Sequence, residues 1–125
     1  MQFRNHFTRD EARALLPQVR AWLEKLNQSR RSLQKTDQRI TQLLAAGDDV
    51  GGELANNQVK ILGEVKSLLR EFEKREIQIK DLERGLIDFP AIIGGREVFF
   101  CWESDDDDIE YWHDLDSGYA GREKL

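Results

Sequence analysis

Apolar residues recur at alternating steps of three and four along the first third of the chain: Leu16, Val19, Leu23, Leu26, Leu33, Ile40 and Leu44. Arg30 and Asp37 fill the two seam positions that this heptad spacing leaves polar. The pattern predicts one helix from about Arg9 to Ala46, roughly 55 Å long at 1.5 Å per residue. Its start is marked by Thr8 followed three residues later by Glu11, the capping-box spacing. Pro17 lies inside the first turns, where a bend is expected. "GDDVGG", residues 47–52, ends the helix.

A second periodic stretch runs through Ile61, Val65, Leu68 or Leu69, Phe72, Ile79 and Leu82, with Arg75 and Glu76 near its seam. Two long helices joined by a short loop must run antiparallel, which predicts a helical hairpin over about 8–84. Each helix of such a rod buries only one stripe, so a second copy or the C-terminal segment should cover part of it. The polar seam residues Arg30, Asp37, Arg75 and Glu76 suit a role in setting register and partner. A carboxylate-bridged metal site is disfavoured, because the repeated Glu-x-x-His pairs of four-helix di-iron proteins are lacking and neither histidine lies in a helix interior.

After Gly85 the period shortens to two. "LIDFPAII" leads to Gly94-Gly95, a hairpin signal, and "REVFFCW" returns from it. "ESDDDD" reads as a loop and "IEYWHDL" as a third strand. The expectation is a three-stranded antiparallel meander over about 86–116 and a C-terminal tail over 117–125, with the whole chain, 1–125, as one α+β domain. Pro90 marks the first strand as an edge strand. Pairing Ile93 with Arg96 and Trp102 with Ile109 places His113 on the core face and Cys101 on the opposite one, which rules out a Cys101–His113 site. A slip of one residue between the last two strands would bring both to the same face.

Composition refines this picture. The 125 residues carry a net charge of −5, unevenly spread: residues 1–46 are net +5, 47–85 net −2 and 86–125 net −8. The basic start and acidic end are complementary, within one chain or between two. Arg30, Arg31, Lys35 and Arg39 could meet nucleic acid, but the acidic whole and the lack of any reading motif argue against that partner. No apolar run reaches the roughly 20 residues of a membrane span and no signal peptide opens the chain, which points to the cytoplasm. A lone Cys101 excludes an internal disulfide and CxxC chemistry.

The segments "FTRDEARALLPQVR", "DLERGLIDFPA", "GREVFFCW" and "EYWHDLDSGYAGR" resemble the signature of an uncharacterised bacterial family, the DUF2203-like domain of unknown function. The resemblance spans essentially the whole chain. It implies a bacterial, intracellular protein and assigns no activity, cofactor or catalytic residue.

Candidate chemistry is therefore weighed residue by residue. His113 with Asp114 and Asp116 could offer nitrogen and oxygen ligands to a divalent metal, with Glu83, Asp88 or His6 completing the set. A hydrogen-bonded structural histidine is the simpler reading. Cys101, set between Phe100 and Trp102, reads as an inert buried thiol. Trp112, His113, Asp114, Asp116, Tyr119 and Arg122 form the candidate binding surface, since aromatic anchors and a planar cation favour docking. Catalysis has no motif behind it. The sequence thus predicts a non-catalytic interaction or scaffolding module that forms a homodimer through its helical hairpin and needs no cofactor. The alternative is a small metal-binding protein or metal-dependent enzyme built on His113, Asp114 and Asp116.

Overall fold

The computed structural model describes residues 1–125 as two helices followed by a five-stranded antiparallel sheet. Helix α1 spans Arg9–Ala45 and α2 spans Gly52–Glu73. Strands β1 (Gln78–Asp81), β2 (Leu86–Ile93), β3 (Arg96–Trp102), β4 (Tyr111–Asp114) and β5 (Glu123–Lys124) lie side by side in chain order. This is the expected α+β hairpin and meander, with two more strands than the three predicted.

The capping box at the start of α1 forms as expected. The Glu11 amide donates to the Thr8 hydroxyl at 3.1 Å, and the Thr8 amide donates to the Glu11 carboxylate at 3.0 Å. The helix continues through Pro17 and ends in a Schellman motif, with Gly47 at φ 76° and the Asp48 amide reaching back to Leu43 O at 2.9 Å.

Helix α2 stops eleven residues before the predicted boundary, and for the same kind of reason. Glu76 takes the left-handed conformation (φ 59°), and the Ile77 amide bonds to Phe72 O at 3.0 Å while the Glu76 amide bonds to Glu73 O at 3.0 Å. A second Schellman motif thus turns the chain, with glutamate where glycine usually stands. Ile77 and Phe72 both enter the core behind it. Ile79 lies in the added edge strand β1 and Leu82 in the turn after it, rather than on a helix seam.

The first half of α1 packs on one face of the sheet. Ala12, Leu16, Val19, Leu23 and Leu26 meet Ile87, Phe89, Ala91, Val98, Phe100 and Trp102 in the buried core, with Phe72, Ile77 and Ile109 closing its ends. Beyond Leu26, α1 and α2 continue as a two-helix arm. Its buried positions on α1 are Ser29 and Thr36, not Arg30 and Asp37. Small side chains fit where the helices press together, and the charged neighbours swing to the flanks. Arg30 reaches Glu83 at 3.1 Å, and Asp37 accepts a 2.7 Å bond from Gln58 of α2. Arg75 lies past the end of α2, paired with Glu71 at 2.9 Å and stacked 4.9 Å from the Trp22 ring.

Strand β1 pairs with β2 only from Leu86 to Asp88, so β2 is an interior strand there and an uncovered one beyond. Pro90 sits in that second part. Its carbonyl accepts the Phe7 amide at 2.7 Å on the side away from β3, where the missing proline N–H leaves no ladder bond unmade.

The β2–β3 register is the expected one, with Ile93 opposite Arg96. The β3–β4 register is shifted by one residue: Phe99 faces His113 and Cys101 faces Tyr111. The loop accounts for the shift. Asp106 folds it over Trp102, whose indole donates to Asp106 O at 3.0 Å, while the Glu103 amide donates to the Asp106 carboxylate at 3.1 Å. Ile109 reaches the core from this loop instead of from a strand, held by Arg9 Nε on its carbonyl at 2.7 Å. The segment expected to be a tail, 117–125, forms a 3₁₀ turn, Tyr119–Gly121, and then β5.

Candidate functional site

The register shift overturns the exclusion of a Cys101–His113 site. The sheet face opposite the helices carries Asp88 of β2, Cys101 of β3 and His113 of β4, and one ligand-type atom from each lies within 4.8 Å of the other two. All three are enclosed, at 2%, 1% and 2% exposure. Asp88 is the one acid of the strand "LIDFPAII", Cys101 follows two phenylalanines in "VFFCW", and His113 follows two aromatics in "EYWHDL". Strand alternation with adjacent registers brings them together.

His113 is fixed at both nitrogens. Nδ1 lies 2.6 Å from the carbonyl of Asp114, and Nε2 lies 3.0 Å from Asp88 Oδ1. A carbonyl only accepts, so Nδ1 carries a hydrogen and Nε2 is the atom aimed at the cluster. Burial raises the Asp88 carboxyl above its ordinary range, opposed by His113, Lys80 and a hydrogen bond from the Cys101 thiol. Burial also pushes Cys101 up to about 12, helped by the charge of Asp88 and opposed by Arg122. The thiol is therefore protonated and not nucleophilic.

The cover over the cluster comes from both chain ends. The Phe99 ring stacks 5.5 Å from His113 and 5.3 Å from Phe3. Glu97 holds the first residues down, accepting the Gln2 amide at 2.7 Å, the Phe3 amide at 3.0 Å and His6 Nε2 at 2.7 Å. From the other end, the Arg122 guanidinium lies 3.8 Å from the Tyr111 ring centroid and 3.2 Å from Asp106. Tyr119 is held between Arg84 and Arg122, each 4.5 Å from its ring.

The residues expected to form one binding surface are thus distributed over both faces. Trp112 packs against the core on the helix side, beneath Arg96. Asp114 is exposed and pairs with Arg96, and Asp116 is exposed on the following turn. Of His113, Asp114 and Asp116, the structure brings only His113 to the cluster. His6 binds Glu97 and Glu83 binds Arg30, so neither joins it. Asp88, an acid inside an eight-residue apolar strand, was the signal that the sequence offered for this site.

A two-helix arm set on an antiparallel sheet with a closed Asp–Cys–His cluster defines the class of protein in structural terms. The chain belongs to the DUF2203 family of uncharacterized conserved proteins, whose model matches residues 5–125. No curated protein and no solved structure matches it.

Proposed function

We propose that the protein is a non-catalytic interaction module that self-associates through its helical arm. The observation that carries this reading is the outer face of α2, where Val59, Leu62 and Leu69 are 70%, 50% and 37% exposed along one side of the helix. Steps of three and seven place them on a single stripe. The arm beneath is thin, with Ile61 the buried apolar residue of its α2 half before Phe72, and a second arm laid against it would bury the stripe.

Charge favours a second copy as the occupant. Part of the basic segment is engaged inside the chain: Arg13 pairs with Asp108, and Arg20 donates to the carbonyls of Ser104 and Asp106. Arg31, Lys35 and Arg39, at steps of four on exposed α1, take part in no ion pair within the chain. Asp105, Asp107 and Asp116 on the sheet end are likewise exposed and unpaired. The arm of one copy is complementary to the rim of another. The chemical cluster supports a non-catalytic role, since none of the surface clefts is lined by Asp88, Cys101 or His113.

Sedimentation velocity over a concentration series tests the proposal. A monomer–dimer equilibrium that weakens with added salt and is abolished by Leu62→Asp with Leu69→Asp is the expected result. A wild-type chain that stays monomeric at every concentration overturns it.

A further inference from the structure

We propose that Asp88, Cys101 and His113 form a binding site for one zinc-class divalent ion, distinct from the His113–Asp114–Asp116 set that the sequence suggests. The donor set is a carboxylate oxygen, a thiol sulfur and an imidazole nitrogen, the three ligand types that zinc accepts. They come from three adjacent strands, so the sheet itself fixes their spacing. Tetrahedral zinc with these donors holds its ligand atoms about 3.3–3.8 Å apart. The cluster already lies within 4.8 Å, with its imidazole–carboxylate edge at 3.0 Å.

The orientation of His113 is a second, independent observation. Its Nδ1–H is committed to the Asp114 carbonyl at 2.6 Å, which turns Nε2 inward and fixes the ring plane. Metal-ligating histidines are held by this kind of outer hydrogen bond.

A divalent ion bound to carboxylate, thiolate and neutral imidazole is neutral as a unit, so its burial leaves no net charge in a region closed to water. Three protein donors leave the fourth position of a tetrahedral ion to a water molecule. Closure on all sides assigns the ion a structural role, with uptake during folding or when the terminal cover lifts.

The test is refolding of the full chain with cobalt(II) as the spectroscopic stand-in for zinc, followed by removal of loose metal and native mass spectrometry. One ion per chain and a thiolate-to-cobalt charge-transfer band are expected. Cys101→Ala should lose the band, and His113→Gln should lose the ion. The Asp114→Asn, Asp116→Asn double variant should keep both. Chelation should lower the melting temperature of the wild type but not that of His113→Gln. Refolded wild-type chain without a bound ion overturns the proposal, as does a band that survives in Cys101→Ala or an ion lost from the Asp114, Asp116 variant. None of these readouts depends on self-association.

Discussion

Glu97 shows what one carboxylate does in this protein. Its burial opposes ionisation, yet hydrogen bonds from His6 and from the Phe3 and Gln2 amides outweigh that and hold it down to about 2, against an ordinary 4.5. A group depressed in the folded state contributes stability that is complete above its unfolded value and is lost as the pH falls through its folded one. The contribution of Glu97 should thus be intact at neutral pH and fade between about 4.5 and 2. Hydrogen exchange of the Gln2 and Phe3 amides should quicken across that window before the sheet amides do, and Glu97→Gln should remove the dependence. His113 makes the complementary case. Its truncation to alanine leaves Asp88 buried without its partner, which should cost on the order of 3 kcal/mol. Urea unfolding checks this, and a loss below about 1 kcal/mol would mean that the pair contributes no more than an ordinary hydrogen bond.

At the scale of elements, the ends of helices and the turns between strands decide the fold. Thr8→Ala removes half of the capping box and should lower stability by about 1 kcal/mol, measured by thermal unfolding. Gly85 and Gly94 both have positive φ, 66° and 58°, but differ in what surrounds them. A Cβ on Gly85 would fall 2.9 Å from the Ser104 Cβ, whereas one on Gly94 meets nothing within 4 Å. Gly94→Ala should therefore cost about 1 kcal/mol of backbone strain, and Gly85→Ala clearly more. Equal losses in urea titrations would show that the loop carrying Ser104 yields freely.

These elements also show what was legible in the sequence. The start of α1 and its end at Gly47 follow from residue types with one meaning each. The end of α2 does not, because Glu76 occupies the left-handed position that glycine usually announces, and Ile79 and Leu82 happen to continue the helical spacing. The β2–β3 hairpin was readable from Gly94-Gly95, whose positive φ at both positions matches a primed turn. The β3–β4 register was not, since "YWHD" offers an aromatic to either face and only the fold of the Asp106 loop chooses between them. The site was lost with the register: Asp88, Cys101 and His113 were each visible, but their meeting depends on a single-residue step.

The whole molecule has a dense end and a thin one. All but one of the buried apolar residues belong to the sheet and the helix segments that pack on it or to strand face opposite; Ile61 alone lies in the arm. Local stability should follow that division. Amides of β2 and β3 should exchange slowest, and those of α1 beyond Leu33 and of the first turns of α2 several orders faster. No helix is long and apolar enough to cross a membrane. Raising the protein concentration should slow exchange along α2 selectively if a second copy covers its exposed leucines, and leave the profile unchanged otherwise.

Because α1 is one unbroken helix, its two ends move together. The 37-residue rod is about 55 Å long, and its first half grips the 103–109 loop through Arg9, Arg13 and Arg20. That loop in turn sets the register that aligns His113 with Asp88. The arm is therefore a lever: a load applied at the far tip reaches the strand pairing at the opposite end of the molecule without passing through any flexible joint.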